Sequence, residues 1–229
     1  MVFLLDSEIG FPDPKKGEPD GLFAVGGDLS IERLLLAYSY GIFPWYAFRA
    51  ADASPELIDP KTGEPYIQWW CPMQRFVIFP DEIHISHSMK QELNKLKTGK
   101  LRVTLNEAFD QVIENCGALR EDVEGAWLGP DMKAAYTELN REGYAFSVEV
   151  WEDEALVGGL YGLSLGKGFF GESMFSLKPN ASKVALIMLA QFCQKVGITV
   201  IDCQLETSHL RSMGGRFIPY DEYLELIRQ

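Results

Sequence analysis

The chain has 229 residues, of which 47% are hydrophobic and 24% charged, as is typical of a globular protein with a sizeable core. Its net charge of −12 argues against tight, sequence-independent binding along a nucleic-acid backbone, but not against recognition of a single-stranded end by stacking. No run approaches the ~20 apolar residues of a membrane helix, and the acidic start MVFLLDSEIG is not that of a signal peptide. The four cysteines lack metal spacing and indicate reduced, mostly buried thiols in a cytoplasmic protein.

Residues 1–72 are rich in Pro, Gly and aromatic residues and predict a small N-terminal lobe with one clear helix. Ser30 can cap this helix and Gly41 ends it. The motif GIFPWY (41–46) follows, and residues 48–65 form a polar loop that we interpret as an inserted hairpin. A lobe of this size buries too little surface to fold alone.

Residues 73–229 predict a second domain in which helices and strands are regular. The predicted strands are 75–79, 101–105, 145–151, 156–163, 168–175, 198–205 and 216–218. The predicted helices are 88–97, one from Asn106 through Cys116, one opening at Pro130, one between Asn180 and Gly197, 207–213 and 221–227. Two helices, three meandering strands, a helix and a parallel strand form the element order of GNAT-like acyltransferases, so we expect an α/β (α+β) fold with that core.

The stretch from Gly168 to Gln204 is predicted to organise the fold. It reads as a strand rich in aromatic residues, a helix capped by Asn180 or Ser182, and a short apolar strand. A crossover of this length favours parallel, adjacent strands. Ligands usually bind at the carboxyl ends of such strands, so we expect the functional site there.

Three polar residues, Glu172, Asp202 and Gln204, lie near the ends of these two strands among apolar neighbours. Asp202 and Gln204 are two apart on one predicted strand, so their side chains are expected on the same face. An unpaired polar group there costs roughly 1–3 kcal/mol, and a carboxylate more. Two interpretations stay open: a satisfied polar pair that fixes core geometry, or a catalytic centre.

Several motifs together resemble the leucyl/phenylalanyl-tRNA–protein transferase family over nearly the whole chain. They are FPDP (11–14), EPDGLFAVGGDLS (18–30), GIFPWY (41–46), WWCP (69–72), VGGLYGLSLGKGFFGESMFS (157–176), NASKVAL (180–186), IDCQ (201–204) and IP (218–219). The order GESMFS, NASK, IDCQ is highly specific. The main departure is Ala47–Pro65, which is longer than the family's loop and affects the edge of the lobe.

The resemblance implies transfer of Leu or Phe, and less well Met, from the 3′ end of aminoacyl-tRNA to proteins beginning with Arg or Lys. The new peptide bond marks the acceptor for degradation by the N-end rule. Because an aminoacyl ester is already activated, we expect no cofactor and no metal. We also expect a cytoplasmic monomer with no membrane partner.

The resemblance makes Asp202 and Gln204 the catalytic pair. The Gln204 carbonyl can accept a hydrogen bond from the incoming amine, and Asp202 can polarise or hold that amide. Asp202 or Glu172 can also meet the Arg or Lys side chain of the acceptor through a charge-assisted bond. The division of roles between the two carboxylates stays open.

The resemblance also implies an apolar pocket for the donor side chain, formed by Leu160, Phe169, Leu186 and Leu189. Plain core packing is the alternative interpretation of these residues. Phe169 and Glu172 would face opposite sides of a regular strand. A bulge at Gly171 would bring both toward one site.

Trp45 and Trp127 correspond to the family positions that clasp the terminal adenosine. Stacking of a base on an indole does not depend on the nucleotide sequence and needs no positive surface. It therefore suits an acidic protein that recognises the 3′ adenosine shared by all tRNAs. A core or lobe-contact role is the alternative. Trp69 and Trp70 are interpreted as core at the lobe interface.

Two other functions are alternatives. An acyl-CoA N-acyltransferase of the same fold would use a Gly-rich loop at the helix start, but LKPNASKV (177–184) contains no glycine and offers only Lys183 and the helix N-terminus. A non-enzymatic adaptor would bind basic N-termini without any tRNA-dependent product.

Two other sites received less weight. His84 and His87 lack the carboxylate or Cys spacing of a metal site. A thiol triad of Cys203, His209 and Asp202 is disfavoured because Cys203 is expected on the face opposite Asp202.

Overall fold

The computed structural model describes residues 2–118 and 127–228, which form two compact units. Of these residues, the N-terminal unit comprises 2–73, 117–118 and 127–138, and the C-terminal unit comprises 74–116 and 139–228. The predicted boundary between residues 72 and 73 stays a prediction. Within the described ranges, no helix combines the length and the apolar character needed to cross a membrane.

The helices and strands are numbered in chain order. The strands are β1 (Phe3–Leu5), β2 (Leu22–Gly26), β3 (Phe43–Pro44), β4 (Gln68–Trp70), β5 (Gln74–Ile78), β6 (Arg102–Leu105), β7 (Ala145–Glu152), β8 (Ala155–Leu165), β9 (Gly168–Ser176), β10 (Val200–Asp202) and β11 (Arg216–Pro219). The α-helices are α1 (Ile31–Ser39), α2 (His87–Lys97), α3 (Phe109–Ala118), α4 (Pro130–Arg141), α5 (Ala181–Val196), α6 (Ser208–Ser212) and α7 (Tyr220–Arg228).

The N-terminal unit contains α1 and a four-stranded sheet in the order β1-β2-β4-β3. The Ser30 hydroxyl caps α1, as predicted. The sheet was not predicted, because its strands are two to five residues long and too short for a periodic signal. In the polar loop, Ile58 and Pro65 form an isolated antiparallel bridge. This bridge supports the predicted hairpin for residues 58–65.

The C-terminal unit contains a seven-stranded sheet in the order β11-β5-β10-β9-β8-β7-β6. Strands β7, β8 and β9 form the predicted antiparallel meander, and β10 pairs in parallel with β9 after the α5 crossover. The mixed architecture confirms the predicted fold class and the element order expected of a GNAT-like core. The main hydrophobic cluster includes the buried face of α5 together with side chains of β7–β10.

The start of α3 differs from the prediction. Asn106 was expected to cap it, but Asn106 has a left-handed backbone (φ 59°) and the helix begins at Phe109. The backbone N–H of Ala108 instead donates to the buried carboxylate of Glu149, 3.4 Å away, and Ser147 donates to the same oxygen. A carboxylate from a neighbouring strand therefore replaces the local cap, which a sequence pattern cannot reveal.

Candidate active site

The strand–helix–strand segment β9–α5–β10 forms the frame of the site. Asn180 occupies the N-cap position with a left-handed backbone (φ 69°) and makes no side-chain cap, so the predicted capping by Asn180 or Ser182 is wrong. The hydroxyl of Ser176, at the end of β9, accepts the Ser182 N–H instead at 3.2 Å. Gly197 ends α5 in the left-handed conformation, as predicted. Asp202 then lies beside Phe170 in the parallel pair.

The second strand is shorter than predicted. It ends at Asp202, and Gln204 adopts a left-handed backbone (φ 61°) outside the strand. The expectation that Asp202 and Gln204 project from the same face of one strand is therefore wrong. The Cys203 N–H still donates to the Phe76 carbonyl of β5 at 2.9 Å. The Asp202 carboxylate then accepts the backbone N–H of Gln204 at 2.8 Å, which forms a local turn.

The Asp202 side chain is fully buried and ion-paired. The guanidinium of Arg75 donates from Nε to both carboxylate oxygens (3.2 and 3.1 Å) and from Nη2 to Oδ2 (2.6 Å). The Tyr223 hydroxyl donates to Oδ2 at 2.6 Å. A buried carboxylate requires such partners, because desolvation of an unpaired charge is costly. The sequence pattern indicates neither residue as part of the site, although Arg75 is the charged residue at the start of the apolar strand RFVIF.

Glu172 lies at an irregularity of β9. Tyr161 pairs with Ser173 but the next residue, Gly162, pairs with Gly171, so Glu172 is the extra residue of a bulge. A bulge was predicted at Gly171, and the structure has one at the adjacent Glu172. That it directs Phe169 and Glu172 toward one site stays a prediction. The Glu172 carboxylate accepts a hydrogen bond from Nε2 of Gln204 at 3.0 Å, so the structure brings these two predicted site residues into contact.

The four residues predicted to line the donor pocket belong to one cluster. They are Leu160, Phe169, Leu186 and Leu189, each 2–3% exposed. They share it with other core residues, among them Ile187 and Ile201. The structure thus places the four together, and their role toward a substrate stays a prediction.

The two predicted adenosine-binding tryptophans lie in the N-terminal unit and differ in exposure. Trp45 is 39% exposed and packs against Trp70, with ring centroids 5.5 Å apart. Trp127 is 7% exposed. Trp69 is fully buried and donates its indole N–H to the Gly26 carbonyl, whereas Trp70 is half-buried. Their predicted place at the lobe interface stays a prediction. The pairing of Trp45 with Trp127 stays a prediction.

The thiol alternative has little support. All four cysteines are free, and three are buried, as predicted. Burial, with the Asp202 carboxylate adding to it, raises the pKa of the Cys203 thiol. Burial lowers the pKa of His209, and the charge of Lys183 lowers it further. A thiol that stays protonated is a weak nucleophile, so Cys203 is a poor candidate.

The metal alternative rests on His84 and His87, which are both exposed. In the parts of the chain that the structure describes, no group of three or more His, Cys, Asp or Glu side chains could hold a metal ion.

Known proteins provide an independent comparison. The family model described as leucyl/phenylalanyl-tRNA protein transferase matches residues 77–228, and the model of its N-terminal domain matches residues 27–73. The leucyl/phenylalanyl-tRNA–protein transferase of Syntrophus aciditrophicus (strain SB) is 51% identical over 98% of this chain and 87% of that protein. The protein of the same name from Anaeromyxobacter sp. (strain Fw109-5) is 46% identical over 97% and 88%. Among solved structures, L-PGS from Bacillus licheniformis is 10% identical and aligns over 90% of this chain and 72% of that chain, with a TM-score of 0.47.

Proposed function

The chain belongs to the leucyl/phenylalanyl-tRNA–protein transferase family, and on that premise we propose that it transfers Leu or Phe, and less well Met, to proteins with N-terminal Arg or Lys. The observation that carries this proposal is the contact between Gln204 and Glu172, next to the buried Asp202. The acceptors would thereby be marked for degradation by the N-end rule. We further propose that the protein acts in the cytoplasm as a monomer.

The proposed reaction converts an ester into an amide. The α-amine of the acceptor has an ordinary pKa of about 7.7–8.0, so a useful fraction is neutral at physiological pH. Its nitrogen attacks the ester carbonyl carbon, the bond from that carbon to the ribose oxygen breaks, and the amine proton passes to the leaving hydroxyl. The protein therefore has to orient two substrates and guide one proton.

The proposed role of Gln204 is to accept a hydrogen bond from the attacking amine. A carboxylate can only accept hydrogen bonds, so the group of Gln204 that faces Glu172 is its NH₂. The Gln204 carbonyl oxygen therefore points away from Glu172. This orientation supports the proposal, because a carboxamide does not titrate near neutrality and can contribute only as an oriented acceptor.

We base the proposed division of roles between the two carboxylates on their surroundings. Asp202 is fully buried and neutralised by Arg75, which leaves it no surface with which to meet an incoming cation. Glu172 is partly exposed. We therefore assign the Arg or Lys side chain of the acceptor to Glu172 and a supporting role to Asp202.

The donor side chain is proposed to enter the cluster of Leu160, Phe169, Leu186 and Leu189. Burial of all four supports an apolar environment. Such a pocket separates side chains by only ~1–3 kcal/mol per methylene, which accounts for acceptance of Leu, Phe and Met together. Trp45 and Trp127 are proposed to bind the terminal adenosine of the tRNA by stacking.

The test is incubation with Leu-charged tRNA and a peptide that starts with Arg, followed by mass measurement of the peptide. We expect a mass gain of one leucine residue at the N-terminus. Acetyl-CoA in place of charged tRNA should give no product, and a peptide with a blocked N-terminus should stay unmodified. Acetylation without leucylation would favour the acyl-CoA alternative, and binding without any product would favour the adaptor.

In the same assay, Asp202→Asn should lower turnover strongly while the fold, followed by circular dichroism, persists. Wild-type transfer rates in that variant would show that Asp202 has no part in the reaction.

A further inference from the structure

Two residues from distant parts of the chain converge on the Asp202 carboxylate. Arg75 comes from β5, 127 residues earlier, and Tyr223 comes from α7, 21 residues later. Both are fully buried, and the Arg75 guanidinium lies over the Tyr223 ring at 4.9 Å from its centroid. The carboxylate is thus held from β5 and from α7.

The two oxygens of Asp202 share the Nε–H of Arg75 but differ in the partners of their shorter hydrogen bonds. Oδ2 accepts the short bonds from Arg75 Nη2 and from the Tyr223 hydroxyl, both 2.6 Å. Oδ1 accepts the backbone N–H of Gln204 at 2.8 Å. Fixing Oδ2 against Arg75 and Tyr223 therefore also fixes the direction in which Oδ1 points.

The hydrogen bond from the Gln204 N–H to Oδ1 constrains an unfavourable backbone conformation. Gln204 has φ 61°, a left-handed conformation that a residue with a side chain seldom adopts. Such a conformation persists only where surrounding contacts impose it. With this backbone, the Gln204 side chain reaches Glu172 at 3.0 Å. The contacts thus form a continuous series from Arg75 and Tyr223 through Asp202 and Gln204 to Glu172.

Resting on the proposed function, we propose that Arg75 and Tyr223 are positioning residues for aminoacyl transfer. They hold the Asp202 carboxylate so that Oδ1 closes the turn at Gln204 and directs its carboxamide to the reacting amine. They act through Asp202 and Gln204, and neither touches a substrate. A buried ion pair is in general weak support for stability, because apolar residues of equal volume often serve the fold as well.

The principal test is Tyr223→Phe, which removes a single hydroxyl and keeps the ring that packs against Arg75. We expect kcat for leucine transfer to fall about tenfold, as for loss of one charge-assisted bond, while KM for peptide and for Leu-tRNA changes less than twofold. Rates are divided by the concentration of folded enzyme, measured by circular dichroism, so a variant that only destabilised the fold would keep the wild-type kcat per folded molecule. Tyr144→Phe, which removes the same atom from a half-buried tyrosine after α4, is the matched control and should keep the wild-type kcat.

A double-mutant cycle shows whether Tyr223 acts through Asp202. In the Asp202→Asn background, adding Tyr223→Phe should lower kcat less than twofold, because the group that Tyr223 positions is already altered. Arg75→Lys keeps the positive charge but loses the bidentate contact with the carboxylate. It should therefore lower kcat while leaving KM for peptide and for Leu-tRNA nearly unchanged.

The outcomes separate this inference from the proposed function. If the wild type transfers leucine and Tyr223→Phe retains its kcat, the positioning role is overturned and the transferase assignment stands. An equal tenfold loss in both backgrounds would also overturn the positioning role. A wild-type chain that transfers nothing would overturn both proposals.

Discussion

Gln204 and Glu172 contact each other through an amide N–H and a carboxylate oxygen, 3.0 Å apart, although 32 residues separate them in the chain. The contact depends on two local departures from regular strand geometry. A bulge adds Glu172 to β9, and a left-handed turn takes Gln204 out of β10. Because both residues lie where a strand becomes irregular, their side chains meet beside the sheet rather than within it.

The first prediction concerns recognition of the acceptor charge. Glu172→Gln keeps an oxygen that can accept from Gln204 but removes the negative charge. We expect kcat/KM for a peptide starting with Arg to fall about 10- to 100-fold, which corresponds to loss of a charged hydrogen bond of ~1.5–3 kcal/mol. The measurement is initial rates with peptides that start with Arg or with its uncharged isostere citrulline.

Discrimination between these two peptides should nearly vanish in Glu172→Gln. The matched control is Glu154→Gln, in the exposed turn between β7 and β8, which should keep the wild-type preference. If wild type and Glu172→Gln preferred the Arg peptide over the citrulline peptide equally, another group would recognise the charge of the acceptor.

The second prediction separates a donor pocket from plain core. Leu186→Val and Ile187→Val each remove one methylene from adjacent buried residues of α5. Each should cost about 0.5–1.5 kcal/mol of unfolding free energy. We expect only Leu186→Val to change the ratio of Leu to Phe transfer, on the order of tenfold, since an altered pocket changes the fit of the donor. Competition between Leu-tRNA and Phe-tRNA measures this ratio, and an equal change in both variants would assign Leu186 to the core.

The regular elements of the C-terminal unit were predictable because their signals are local. The strands β7, β8 and β9 are separated by short turns at Asp153 and Gly166, and α5 carries apolar residues at helical spacing before Gly197. The short strands of the N-terminal unit carry no such signal. Their pairing depends on neighbours that are distant in sequence, as for β1 beside β2.

The site was predictable in part. Glu172, Asp202 and Gln204 could be identified as polar residues in apolar surroundings. The end of β10 could not, because the apolar pattern continues past Asp202, whereas its carboxylate bonds the chain two residues on. Arg75 and Tyr223 reach the site only through tertiary structure, so no spacing indicates them.

The third prediction concerns alkaline stability. Burial, with the Asp131 carboxylate adding to it, raises the pKa of Tyr46 from 10.0 to about 12. Between these values the unfolded chain binds fewer protons than the folded chain, so the free energy of unfolding falls as pH rises. The contribution is fully present below about pH 10, and the loss above pH 12 is on the order of 2–3 kcal/mol.

Urea unfolding at about pH 8, 10 and 11 measures this slope. Tyr46→Phe, which cannot ionise, should lose less stability than the wild type over that range. Parallel slopes for wild type and Tyr46→Phe would contradict the prediction.

The fourth prediction concerns the tRNA end. Trp45 is 39% exposed and its ring is supported by Trp70, so one face can receive a base. Trp45→Ala should raise KM for Leu-tRNA roughly 10- to 100-fold, since stacking a base on an aromatic ring is worth ~1–3 kcal/mol, and Trp45→Phe should raise it less. A leucyl ester of a simple alcohol, which has no adenine, provides the control donor. Its KM should be the same in wild type and Trp45→Ala, because the stacking partner is missing from the substrate. If Trp45→Ala weakened both donors equally, the indole would support the lobe rather than bind the adenosine.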